Sequence, residues 1–228
     1  MESSRHGRAI AGMAAILLTL AAPAPRAGEV PERAGGFDYY ILALSWIPAF
    51  CVLAGKADDD PRCTEGGGHG WMLHGLWPQH ADGSWPEFCE TAQRNPSRRE
   101  TAAQADLFGV GWAAWHQWNK HGRCSGLSAD DYFALSRTAI ERVHLPDLPA
   151  AQEQVDMPEP ELAPALLKKA FLAANPDFEA GMLTVTCRQG VINELRLCLN
   201  RALEPRACDD ETLRRRCRLD AARMPAPQ

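Results

Sequence analysis

The sequence has no excess of positive charge, no Cys-x-x-Cys pair and no long apolar run, and each absence removes a class of protein. Its 228 residues carry 24 Lys and Arg against 29 Asp and Glu, a formal net charge of −5, which excludes a broad basic face gripping nucleic-acid phosphates. A small cationic site remains open to it. None of the eight cysteines is spaced two residues from another, so zinc sites of the Cys-x-x-Cys type and thioredoxin-like redox motifs are absent. The longest apolar stretch, Ala9 to Ala22, falls short of the roughly 20 residues that a membrane-spanning helix needs. The 18 Gly and 17 Pro follow no triplet period, unlike collagen. With 46% hydrophobic and 23% charged residues, the chain reads as an ordinary globular protein.

Arg5 and Arg8 stand ahead of the apolar stretch, and Pro23, Pro25 and small residues follow it. This pattern reads as a secretory signal peptide over residues 1–27. Its removal takes away three Arg and one Glu, leaving a mature net charge of −7. The basic leader has a bacterial style and points to a secreted or periplasmic protein, unattached to a membrane once the signal is gone. In an oxidising compartment all eight thiols can pair. Eight cysteines allow about 105 pairings, and spacing alone does not choose among them.

Along the mature chain, Phe37 to Trp46 is an aromatic and aliphatic run that reads as a buried strand closed by Pro48. Trp71 to Trp77 is a second short apolar element, and Asp82-Gly83 a turn. Ala105 to His121 has a helical period ended by Gly122 as a left-handed cap. On a wheel with His116 at zero, Phe108, Trp112, Trp115 and Trp118 fall at about 280°, 320°, 260° and 200°, an aromatic face expected to be anchored. His116, Lys120, Gln117 and His121 fall at about 0°, 40°, 100° and 140°, the face presented outward. Further helices are expected over Ala129–Val143 and Ala165–Ala174, separated by a proline-rich acidic connection, Pro146 to Pro164. A hairpin follows, with Thr184–Cys187 and Val191–Leu199 around Gln189-Gly190.

His74, His116 and His121 are the residues with the most chemistry to offer. A zinc-dependent phosphodiesterase is one reading, but ligand pairs on a helix usually sit four apart on one face, whereas His116 and His121 are five apart and about 140° separated. General acid–base catalysis fits better, since imidazole exchanges protons at mild pH. Lys120 beside His121 opposes protonation of the histidines and favours a bound anion such as phosphate. His6, His69, His80 and His144 are read as ordinary core or surface residues.

Trp-Met-Leu-His-Gly-Leu-Trp-Pro at 71–78 and Trp-His-Gln-Trp-Asn-Lys-His-Gly-Arg-Cys at 115–124 resemble the two active-site segments of the ribonuclease T2 family. Trp46, Pro48 and Cys51, the turn before Cys89, and the terminal Cys187/Cys198 pattern resemble it in order and spacing. The likeness runs from Phe37 to Cys217. It implies a single α+β domain over residues 28–228, with a central antiparallel sheet flanked by helices and reinforced by disulfides. It also implies a monomeric, metal-independent and cofactor-free endoribonuclease, which cuts single-stranded RNA through a 2′,3′-cyclic phosphate and then hydrolyses it to a 3′-phosphate. DNA, lacking the attacking 2′-hydroxyl, is expected to be inert. By the same resemblance His121 is the base, His74 the acid, and His116 and Lys120 the phosphate-holding groups, while Trp77 and Trp85 sandwich a base. The implied disulfides are Cys51–Cys63, Cys89–Cys124, Cys187–Cys217 and Cys198–Cys208. The rival from another class is a catalytically silent relative that binds RNA or a protein.

Three positions depart from the family pattern. Gln79 stands where Asp is frequent and Ser45 where Gln is frequent, so broad base specificity is expected. Gln117 stands where Glu is common; a neutral amide can hydrogen-bond a phosphoryl oxygen but cannot exchange a proton. Gln117→Glu is therefore expected to alter the pH dependence of kcat more than KM, and steady-state kinetics across pH would check this. An unchanged profile would remove any catalytic part for this position.

Overall fold

The computed structural model describes residues 33–54, 60–64, 69–146 and 161–227. The expected signal peptide and most of the proline-rich connection lie outside the described residues. The first strand, β1 (Tyr39–Trp46), is the aromatic and aliphatic run of the sequence, and it is buried on both faces because it is a central strand. The chain then turns directly into α1 (Ile47–Ala54), with Pro48 in its first turn, where the missing N–H costs nothing. The second strand is β2 (Trp71–Gln79), followed by α2 (Arg98–Ala102), α3 (Ala105–Phe108), α4 (Gly111–Lys120) and α5 (Ala129–Glu141). Past the connection come β3 (Glu161–Leu162), α6 (Pro164–Ala174), the hairpin β4 (Leu183–Arg188) and β5 (Val191–Leu199), α7 (Asp210–Arg214) and β6 (Ala222–Arg223). Gln189 and Gly190, with φ of 50° and 78°, make the hairpin turn.

The strand order is β2-β1-β5-β6-β3, with β4 also paired to β5. The chain is a single α+β domain, but its sheet is mixed. All ladders are antiparallel except β5 with β6, which pair in parallel at Val191 and Arg223. The central sheet is antiparallel as expected, and the one parallel pairing is added where the chain returns after α7 alongside β5.

One face of the sheet supplies Tyr40, Leu42, Leu44, Leu73, Leu76, Leu195 and Leu197 to the main core, which Trp118, Tyr132, Phe133 and Phe171 complete from the helices. The other face carries Tyr39, Ile41 and Ala43 in a smaller cluster with Cys198, against which Trp77 packs. This alternation is what a period-two strand between two environments requires. The Tyr132 hydroxyl donates to the Leu76 carbonyl at 3.1 Å and ties α5 to β2.

Three expectations about the segment 105–122 are overturned. It is two helices, because Gly109 at φ 82° breaks the path after α3. Gly122 is not a left-handed cap; it begins a 3₁₀ turn, Gly122–Ser125, and the left-handed residue is Gly126 at φ 80°. A side chain at Gly122 would meet the Tyr132 ring at 2.7 Å, so the glycine is there for close packing. The anchored face of α4 is also different from the one expected. Ala114, Gln117 and Trp118 are buried, whereas Trp112 and Trp115 are 57% and 44% exposed.

The disulfides join Cys51 to Cys63, Cys89 to Cys124, Cys187 to Cys217 and Cys198 to Cys208, the four pairs the resemblance implies. Cys89–Cys124 fastens the loop carrying Trp85 and Glu87 to the end of α4, assisted by the Phe88 N–H donating to the Lys120 carbonyl. Cys198–Cys208 likewise holds β5 to the segment leading into α7.

Candidate active site

His74 owes its position to an irregularity in β2. Ala43 of β1 pairs with Gly75 and Leu44 pairs with Leu73, so His74 is the extra residue of a β-bulge. Across the bulge the side-chain alternation changes parity: Leu73 and Leu76 both face the core, and His74 comes to lie against Trp77, ring centroids 5.0 Å apart.

From this place His74 reaches a partner two strands away. Its Nδ1 lies 2.6 Å from Oε1 of Glu194 on β5, although β1 runs between β2 and β5. Neighbouring strands are about 4.8 Å apart, so the two side chains must meet over β1. The register puts Ser45 opposite Glu194 and Ala43 opposite both Gly75 and Arg196, and these small residues leave the room. Arg196 donates from Nε and Nη2 to the second Glu194 oxygen, at 2.8 and 2.6 Å. Burial alone would raise the pKa of Glu194, but the His74 hydrogen bond and the Arg196 charge outweigh it and bring it down to about 2. Glu194 is therefore a carboxylate, and the proton between it and His74 resides on Nδ1, which leaves Nε2 to face chemistry.

Helix α4 brings the other groups. The Trp77 indole N–H donates to Oε1 of Gln117 at 2.8 Å, and Trp77 packs on His121 with centroids 5.2 Å apart. Gly75 permits this contact: a Cβ there would fall 2.2 Å from the Trp77 nitrogen and 2.3 Å from the Gln117 oxygen. Lys120 is held by Glu87, Nζ to Oε2 3.2 Å. His121 is 7% exposed, and its pKa is lowered to about 3 by burial first and then by the charges of Lys120, His74 and His116. His116 is exposed and lowered more mildly, by partial desolvation and then Lys120. The cationic side chains of the site are Arg196, Arg215 and Lys120.

All five residues expected in catalysis, His74, His116, Gln117, Lys120 and His121, line one cleft of about 200 Å³, together with Trp77 and Trp85. Gln79 lines it too, its amide turned to the Pro78 carbonyl, and the Arg215 guanidinium covers a face of Trp85 at 4.9 Å. A second groove of about 310 Å³ opens on the far side of the wall formed by His74, His116 and Gln117, with Ser45, Phe50 and Trp112 among its lining. His69, His80 and His144 line neither the cleft nor, except for contacts elsewhere, any catalytic wall; His6 lies outside the described residues. Among those residues no three His, Cys, Asp or Glu converge as metal ligands.

Sequence reasoning missed Glu194, Arg196 and Glu87. The first two left a signal in the alternation Glu-Leu-Arg-Leu-Cys-Leu at 194–199, a polar pair on one face of a strand whose other face is leucine. Glu87 left none.

The family model described as Ribonuclease T2 family matches residues 37–208. The chain belongs to the ribonuclease T2 family. Among curated proteins, this T2-family enzyme is 31% identical over 188 residues to a ribonuclease of Aeromonas hydrophila, covering 82% of this chain and 83% of that one. It is 32% identical to ribonuclease DdI of Dictyostelium discoideum, over 56% of this chain and 60% of that one. Among solved structures it shares the fold of an RNase-related protein from Calystegia sepium, with TM-score 0.67, 19% identity and coverage of 84% and 98%. It also shares the fold of RNase NT in complex with 5′-AMP, with TM-score 0.59, 20% identity and coverage of 83% and 98%.

The lowered proton affinity of His121 has a consequence for stability. Between its ordinary value of 6.5 and about 3, the unfolded chain takes up a proton that the folded one refuses, so stability is full above pH 6.5 and falls as pH drops through that window. Urea denaturation at pH 6.5 and pH 4 is expected to show a loss about 2–3 kcal/mol larger in the native protein than in His121→Gln. Equal losses would mean that His121 is not neutral in the fold.

Proposed function

We propose that this enzyme is a metal-independent endoribonuclease that cleaves single-stranded RNA by transesterification to 2′,3′-cyclic phosphate ends and hydrolyses these to 3′-phosphates. The observation that carries the reading is the wall of His74, His116 and Gln117 standing between two pockets. A phosphodiester on that wall would place one nucleoside in each pocket.

His121 and Lys120 line the cleft but not the groove, which sets the polarity. The ribose bearing the attacking 2′-hydroxyl lies in the cleft, its base beside Trp77 and Trp85, where stacking contributes about 1–3 kcal/mol with little sequence preference. Neutral His121 accepts the 2′-hydroxyl proton as O2′ bonds to phosphorus. The phosphate charge offsets Lys120 and raises the proton affinity of His121 when substrate is in place. Lys120 and His116 stabilise the charge that builds on the phosphoryl oxygens. His74 donates its Nε2 proton to O5′ as the P–O5′ bond breaks, and the 5′-hydroxyl product leaves from the groove. In the second step His74 takes a proton from water and His121 returns one to O2′, restoring both histidines. Glu194 is a positioning residue that fixes the His74 tautomer and steadies the imidazolium.

Four disulfides in one chain fit an oxidising compartment, in keeping with the secreted or periplasmic reading and the signal peptide over residues 1–27.

Incubation with RNA in excess EDTA, with the ends identified chemically, is expected to give cyclic phosphates and then 3′-phosphates, and DNA is expected to stay intact. EDTA-sensitive cleavage would indicate a metal enzyme, and binding without cleavage a silent relative. Glu194→Gln is expected to lower kcat on RNA about 10–100-fold with little change in KM. A ribonucleoside 3′-(p-nitrophenyl phosphate), whose leaving group needs no proton, should be almost unaffected. Equal slowing of both substrates would reduce Glu194 to a structural role.

A further inference from the structure

The two exposed tryptophans of α4 take no part in the proton transfers above. Trp112 and Trp115, 57% and 44% exposed, line a shallow shelf between α2 and α4 together with Arg98 and Thr101. Trp112 also lines the groove, so shelf and groove are continuous across its ring. The guanidinium of Arg62 lies 4.9 Å from the Trp112 ring and 4.2 Å from Phe50 and helps to hold that ring where the two surfaces meet. The Arg98 residue is exposed, and its guanidinium has no ion pair or hydrogen bond among the described residues, leaving its charge to solvent. Two large aromatic surfaces exposed on one short helix oppose the usual burial of tryptophan, and the fold leaves about half of each uncovered.

Resting on the endoribonuclease reading, we propose that this shelf is a third nucleotide site, which takes the base on the 3′ side of the leaving nucleoside. The polarity follows from the geometry: the groove receives the leaving nucleoside, and the strand that continues from its 3′-oxygen crosses Trp112 to reach Trp115. Stacking on an indole accepts any base, and Arg98 lies beside it for the following phosphate. An RNA strand fits better than a protein partner because the shelf has no boundary of its own; it is an extension of a surface that already ends at the reacting phosphate. The enzyme thereby favours strands over dinucleotides without gaining base preference.

The test uses deoxyoligonucleotides with a single ribonucleotide, so that only one bond is cleavable and the register is known. Lengthening the substrate from one to two nucleotides on the 3′ side is expected to raise kcat/KM about fivefold or more. The gain should vanish when the added nucleotide is abasic and in Trp115→Ala, persist largely in Trp115→Phe, and shrink in Arg98→Ala with a weaker dependence on salt. A native enzyme that cleaves the shorter substrate without gaining on the longer one overturns the third site and leaves the ribonuclease reading intact. So does a gain that survives both the abasic substitution and Trp115→Ala, or a Trp115→Ala variant slowed equally on both lengths. Failure to cleave either length overturns the ribonuclease reading, and the third site with it.

Discussion

The cleft depends on one irregular place in the sheet, where β2 has a residue more than β1. Without the bulge at His74, strict alternation would put His74 and Trp77 on opposite faces of the sheet. The bulge places an imidazole at the rim of a rigid, disulfide-bound sheet. The small side chains of Ala43 and Ser45 then let it meet a carboxylate two strands away. His74, Glu194 and Arg196 are consequently all set on strands, whose backbone hydrogen bonds hold them more firmly than a loop could.

His74 and His121 are distinguished by their surroundings. His74 stands against a carboxylate that Arg196 also holds. His121 is enclosed against Trp77 with Lys120 nearby, an arrangement that favours giving up a proton. Two side chains of the same type are thus given different surroundings, a buried anion for one and desolvation for the other, the division that the proposed acid and base pair uses.

Much of this was legible in the chain itself, for identifiable reasons. β1 and the β4–β5 hairpin could be read because an apolar run between turn residues and a Gln-Gly turn are local signals, and α5 and α6 because their apolar faces repeat at the helical period. The wheel failed on α4 because it ranks tryptophan as the residue to bury. The helix instead turns Ala114, Gln117 and Trp118 inward, since Gln117 is needed against Trp77 and since two of the tryptophans face solvent. Glu87, which holds Lys120, could not be read at all, being brought there by the Cys89–Cys124 crosslink.

By itself the sequence determined the residue types that the chemistry needs, the two segments that carry them and the cysteines available to fasten them, because these are properties of short stretches. Only the tertiary structure decided which histidine faces a carboxylate, which is shut away from water, and which aromatic rings are left uncovered. Those outcomes depend on a strand register, on the size of the residues between two strands and on how one helix is rotated against the sheet, and each involves residues far apart in the chain.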